Sequence, residues 1–168
     1  VRAPSSANRD RIRRRLAEGE ARSDRTVIVG DRYRDRFLVE HLVRHSKRFV
    51  VLFDRSGADA DPLDIPEDAG DRTFVHGHVA GAASELVERF RLLDARELIL
   101  LSDGTAETDY DNIRILGALD DALQMSRSRI TEEGVRAPSV LLECSSADMQ
   151  TLLGRSVSSD LARLIRTA

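Results

Sequence analysis

A densely charged turn, Gly30-Asp31-Arg32-Tyr33-Arg34-Asp35, follows directly on the apolar run Thr26-Val27-Ile28-Val29. A glycine that ends such a run and opens into a helix is where a dinucleotide fold places its phosphate-binding turn. That turn uses three glycines, so that the backbone approaches the pyrophosphate and the helix packs closely on the strand. Here Gly30 stands alone, with Arg32 at the second glycine position and Asp35 at the third. NAD in the usual backbone-hugging pose is therefore disfavoured, and an adenine nucleotide in a shifted pose is the alternative. Arg32, Arg34 and Arg36 beside a helix start could grip an anion through their side chains. The favoured reading is that Asp31 and Asp35 pair with these arginines and fill the cleft.

Further candidates end the other apolar runs. Asp54 closes Phe49-Val50-Val51-Leu52-Phe53, about two dozen residues after Gly30, where an acid accepts hydrogen bonds from a ribose diol. Gly77-His78 follows Thr73–Val75, and Ser102-Asp103 follows Glu97–Leu101. The candidate cofactor-binding set is thus Gly30, Asp31, Arg32, Tyr33, Arg34, Asp54, Gly77, His78, Ser102 and Asp103. His76 and His78 alternate, so an extended backbone points both to one face, and with Asp71 they could be read as metal ligands. Two imidazoles without a firm third ligand are thin support for that. The acids Asp59, Asp61, Asp64, Glu67, Asp68 and Asp71 could attract calcium, but they lack the spacing and central glycine of an EF-hand loop. A solvated acidic loop is the expectation. Cys144, just past an apolar run, reads as a packed thiol.

The elements that would position these groups alternate regularly. Strands are expected at 26–30, 49–53, 73–75, 97–101 and 138–143. Helices are expected from Phe37 to about His45, over 82–93, and over 109–128 with Ile113, Leu116, Leu119, Leu123 and Met125 inward. Helical fragments near 146–153 and 159–167 finish the chain, with a brief strand at Ser156-Val157. Such alternation predicts an α/β, Rossmann-like, doubly wound and mainly parallel sheet of about six strands, with helices on both faces. Residues 1–25 read as a basic lead-in, partly helical over Arg9–Ala21, and residues 26–168 as the lobe itself.

Composition narrows the function. The 168 residues are 41% apolar and 33% charged, an ordinary globular balance with room for one domain. The net charge is −3, so nucleic acid is not an expected partner. Residues 1–25 nevertheless hold eight arginines against four acids, while Lys47 is the only lysine. A single cysteine excludes an internal disulfide framework. No apolar run is long enough to span a bilayer, and Arg11–Arg15 is not followed by the apolar stretch of a secretory signal. Catalysis is not expected. Tyr110 is followed at Tyr-x-x-x-Lys spacing by Arg114, Lys47 has no nucleophile partner, and neither a Gly-x-Ser-x-Gly elbow nor a P-loop lysine occurs.

Taken together, Thr26–Asp54, Gly77–Ser102 and Asp109–Leu123 resemble the RCK domain, the nucleotide-binding regulator of potassium channels and TrkA-type potassium transporters. Gly77-His78 stands where that family carries Gly-Asp. Ala95-Arg96-Glu97-Leu98-Ile99 is similar to its entry into the fourth strand, and Asp109–Asn112 to its acidic, Asn-bearing helix start. The resemblance implies a regulatory lobe at the cytoplasmic face of the cell membrane. It implies pairing into dimers or a gating ring, with the long helix and the terminal helices as contact surfaces, and a partner membrane pore domain. NAD(H) or an adenine nucleotide would be the effector, acting by favouring one ring geometry. The runner-up is an assembly scaffold that no longer binds nucleotide, and a third reading is a fragment of an NAD-dependent oxidoreductase.

Overall fold

The computed structural model describes residues 24–56, 63–79, 81–127, 137–144 and 147–167. The expected lead-in helix, most of the acidic stretch before Asp64, and the end of the long helix past residue 127 lie outside them. Six strands form one parallel sheet: β1 (Arg25–Gly30), β2 (Phe49–Asp54), β3 (Thr73–Gly77), β4 (Glu97–Leu100), β5 (Ser139–Leu142) and β6 (Ile165–Thr167). Their order is β3-β2-β1-β4-β5-β6. The chain winds outward from β1 through β2 to β3, returns to β4 on the other flank of β1, and winds outward again. The topological switch point therefore lies between β1 and β4, and this doubly wound Rossmann order places a crevice beyond their carboxyl ends.

Right-handed crossovers that run in opposite directions put their helices on opposite faces. Strand residues alternate accordingly: Val27 and Val29 face one layer and Ile28 the other, all without solvent contact. Helix α1 (Arg36–His45) covers one face with Val39 and Val43 against Ile28, Leu52 and Ile99. Helices α2 (Ala83–Arg89) and α3 (Ala106–Met125) cover the other face, where α4 (Ala147–Ser156) and α5 (Ser159–Ala162) contribute Leu153 and Leu161 to the same core.

Two helix boundaries, the burial of one residue and the place of the last strand differ from the sequence expectation. Helix α3 begins at Ala106, three residues early, because the Thr105 hydroxyl accepts from the Thr108 backbone N–H and caps the first turn. Met125 is 85% exposed rather than inward, and Ile115 takes the buried position instead. Helix α2 stops at Arg89, because Arg91 adopts a left-handed φ of 49° and a short 3-10 turn, Leu92–Asp94, follows. The buried guanidinium of Arg25 fixes that stop by donating to the carbonyls of Phe90 and Arg91, so the first strand begins with a residue that belongs to the core. The terminal strand is Ile165–Thr167 beside β5, not Ser156-Val157, which end and follow α4.

The inward face of α3 can be tested by truncation. Leu119→Ala, at a site with no solvent contact, should cost about 2–5 kcal/mol, seen as a lower urea midpoint at unchanged slope. Met125→Ala should stay within about 0.5 kcal/mol of the parent.

Candidate functional site

The strand ends bring the charged turn, Asp54, His78 and Ser102 to one edge of the sheet. Backbone hydrogen bonds extend the ladder past the strands: Arg55 N–H to Gly30 O at 2.9 Å, His78 N–H to Asp54 O at 2.7 Å, and Leu101 N–H to Val29 O at 2.9 Å. The candidates are thus held on neighbouring, register-locked segments. What they hold is mostly one another.

The first turn is closed from within. Asp31 Oδ1 accepts from the backbone N–H groups of Tyr33 at 2.8 Å and Arg34 at 3.0 Å, an aspartate turn rather than an arginine pair. Asp35 Oδ2 accepts from the Asp31 N–H at 2.8 Å, and the Arg34 guanidinium grips the same carboxylate with Nε and Nη2, each at 2.7 Å. A Cβ placed on Gly30 would stand 2.7 Å from Asp35 Oδ2. Gly30 thus makes room for a side chain of this turn, in the space where a phosphate turn would leave its backbone open. Arg36 pairs with Glu40 at 2.9 Å, one helical turn on.

Asp54 is engaged in the same way. Its carboxylate, 4% exposed, accepts at Oδ1 from Arg32 N–H at 2.8 Å, Ser56 N–H at 3.0 Å and the Ser56 hydroxyl at 2.6 Å. Arg32 Nε lies 3.2 Å from Oδ2, close enough for an ion pair though not aligned as a hydrogen bond. A ribose diol would have to displace these donors to reach the acid.

At the switch point itself lies Arg55, which sequence reasoning passed over. Its Nη1 donates to the Leu101 carbonyl at 3.0 Å, while Nε and Nη2 reach Asp111 Oδ2 at 3.1 and 2.8 Å. Nη2 also donates to Asn112 Oδ1 at 2.7 Å, and Asn112 returns its own N–H to Leu101 O at 3.0 Å. His78 completes the cluster, with Nε2 2.8 Å from the same Asp111 oxygen. Since an ionised carboxylate only accepts, His78 carries its proton on Nε2. Burial pushes the Asp111 carboxyl up, but the hydrogen bonds from His78 and Arg55, together with their charges, outweigh it and hold the group at about 2.

Ser102 and Asp103 close the remaining side. The Ser102 hydroxyl donates to Asp109 Oδ1 at 2.5 Å and accepts from Gly104 N–H at 3.1 Å, while Ser102 N–H donates to Glu143 Oε2 at 2.9 Å. Asp103 is solvent-facing; hydrogen bonds from the Thr105 hydroxyl and backbone hold its carboxyl at about 2. Gly77 and Tyr33 stand exposed at the rim.

His76 and His78 part company. The His76 ring stacks on Phe74 and meets Phe53 and Phe90 at centroid distances of 6.0, 6.0 and 4.9 Å, so it packs in an aromatic cluster. Among the described residues, no group of three or more His, Cys, Asp or Glu side chains is arranged to hold a metal ion. Within the acidic stretch, Asp64 pairs with Arg44 at 2.8 Å. The Cys144 side chain is half-buried against the core.

No protein-family model matches the sequence, and no curated relative matches it. Among solved structures the chain is similar to "Shewanella denitrificans Kef CTD in AMP bound form". The TM-score is 0.46 at 15% identity, over 85% of this chain and 71% of that one. The Rossmann assignment rests on this chain's own strand order. Among the described residues no helix is long and apolar enough to cross a membrane.

The residues left out of the candidate site set had a visible signal. Asp111 and Asn112 interrupt the apolar stripe of α3 one turn before Ile115 and Leu116, and all four are buried. A polar pair on a core-facing stripe requires buried partners, and Arg55, next to a strand-terminal acid, is one. Asp111→Ala removes the carboxylate that Arg55 and His78 share, leaving Arg55 only Leu101 O and Asn112, and should cost about 3 kcal/mol at pH 7. Because the Asp111 carboxyl is depressed in the folded state, its contribution is full above about pH 4 and is lost as pH falls toward 2. The parent and the variant should therefore converge in stability across that window, read by urea titration. Asp103→Ala, at an exposed site, should cost about 1 kcal/mol or less.

Proposed function

We propose that this chain is a non-catalytic regulatory lobe of a potassium channel or potassium transporter, acting through assembly with further copies and not through a bound nucleotide. The supporting observation is the closed crevice: Arg55 lies across the ends of β1 and β4 on Asp111, and Arg32 and Ser56 occupy Asp54. A nucleotide sensor leaves these acceptors and backbone groups open. This lobe instead uses them to fix the geometry of its strand ends. The RCK-like pattern of Thr26–Asp54, Gly77–Ser102 and Asp109–Leu123 supports the potassium-transport context and a place at the cytoplasmic face of the membrane.

Exposed apolar side chains support assembly. Phe37 is 84% exposed in the first turn of α1, Tyr33 and Val79 are each 75% exposed on turns after β1 and β3, and Tyr110 stands out near the start of α3. All four lie on segments that leave or follow carboxyl strand ends. Large apolar groups at one end of a sheet mark a surface that another molecule covers. With the crevice closed, a second copy at that edge would read the rigid outer surface of the cluster.

Two measurements test this reading. Thermal melting with about 1 mM AMP, ADP, ATP, NAD or NADH should leave the midpoint within about 1 °C of the ligand-free value. Saturating a site with a dissociation constant of about 10 μM would raise it by roughly 5–10 °C. Such a rise, abolished by Asp54→Ala, would make the lobe a nucleotide sensor. In light scattering at about 100 μM, the chain should show a multiple of its 18.7 kDa mass, and Phe37→Asp with Tyr110→Asp should return it to monomer at unchanged melting temperature. A monomeric parent would contradict assembly through the lobe itself.

A further inference from the structure

The opposite, amino edge of the sheet carries an open and strongly basic groove. Its walls come from the starts of β4, β5 and β6, and it encloses about 280 Å³. Arg48, Arg96, Arg163 and Arg166 line it together with Ser139, and Glu97 is the single acid. Arg48 shares its charge with Asp24 at 3.4 Å, and Glu97 turns toward β1, where it accepts from the Thr26 hydroxyl at 3.4 Å. Arg96, Arg163 and Arg166 have no ion pair or side-chain hydrogen bond among the described residues, in contrast to the arginines of the carboxyl edge.

The backbone that carries them is fixed. Arg96 N–H donates to Arg25 O at 3.1 Å, Ser139 N–H to Arg96 O at 3.0 Å, and Val140 N–H to Leu164 O at 2.9 Å, so the ladder itself sets the spacing of the three arginine-bearing segments. A chain of net charge −3 thus gathers around one concavity three guanidinium groups that have no partner among the described residues. Like charges held together repel, and the arrangement is relieved by an anion that accepts from several of them at once. Guanidinium forks match the oxygens of a phosphate group, which accepts bidentately and carries close to two charges. The groove continues past Arg48 and Arg96 into a shallower hollow of about 540 Å³ that includes Lys47, His41 and His45.

We propose that this amino-edge groove is an anion site for a phosphate group, held by Arg96, Arg163 and Arg166 with Arg48 at its mouth. Its size admits a pyrophosphate or a phosphorylated headgroup and is below the roughly 300–1,000 Å³ of sites that enclose larger ligands. The site is independent of the carboxyl-edge crevice and of the role proposed for the lobe.

Inorganic pyrophosphate titrated into the ¹⁵N-labelled full chain at about 50 mM NaCl is the primary test. Saturable shifts should appear at the amides of Arg96, Ser139 and 163–166, with a dissociation constant of about 1 mM or lower. Affinity should fall about tenfold or more in Arg163→Ala with Arg166→Ala, both on exposed side chains, and about threefold or more at 300 mM NaCl. Arg114→Ala, an exposed residue beside Gly81 at the carboxyl edge, should leave it unchanged. Co-sedimentation with vesicles of phosphatidylcholine containing about 30% phosphatidic acid separates the sources. Vesicle binding lost in the double variant assigns the site to a lipid headgroup, and pyrophosphate binding without vesicle binding assigns it to a soluble phosphate ester. Absence of saturable binding in both arms, or binding that the double variant retains in full, overturns the proposal.

Discussion

The carboxylate of Asp111 is the group on which the carboxyl edge of this fold depends. It sits 1% exposed on the inner face of α3, where an ionised acid is tolerated only with donors on every side. Arg55 from the end of β2, His78 from the end of β3 and the Gly81 backbone supply them. One acid therefore ties two strand ends and a loop to the long helix, and through Arg55 it also reaches the carbonyl beyond β4. Removal of any one donor would leave the others around a buried charge, so the cluster behaves as a unit.

That unit gives a familiar topology a different use. The Rossmann order opens a crevice between β1 and β4, and ligands ordinarily complete the hydrogen bonding of the strand ends there. In this chain Arg55, Asp35, Ser56 and Glu143 do so. Gly30 is consistent with the change: its missing side chain accommodates the Asp35 carboxylate, and the lost second and third glycines are the residues that fill the space. The arrangement fixes the strand ends without a ligand. At the other edge, Arg96, Arg163 and Arg166, with no side-chain partner among the described residues, line an open groove.

Much of the architecture was legible from apolar patterning, because five strands read as short β-rich runs closed by Gly, Asp, Ser or Glu. The sixth was not, since Ile165–Thr167 is only three residues long and carries an exposed Arg166 at an edge that needs little apolar content. The helix boundaries were misjudged where a polar group outside the helix set them: the Thr105 cap before α3 and the Arg25 guanidinium after α2. The candidate site was legible as a location but not as an outcome. Of the two acids expected to pair with arginines, only Asp35 does so, while Asp31 accepts backbone N–H groups and Arg32 goes to Asp54. Which acid meets which arginine depends on long-range register, 22 residues apart for Arg32 and Asp54 and 56 for Arg55 and Asp111, and local spacing carries no such information.

The central claim is that Arg55 is locked across the switch point, and its own Nε–H signal reports this directly in a ¹⁵N NMR spectrum. A guanidinium bound to Asp111 and Leu101 should give a sharp Nε–H resonance, resolved from those of the exposed arginines and slow to exchange with solvent at pH 7, and unmoved by added NAD or ADP. An Arg55 signal that exchanges as fast as those of the exposed arginines, or that shifts as a nucleotide saturates, would show that the crevice is open and that the lobe is built to be filled from outside.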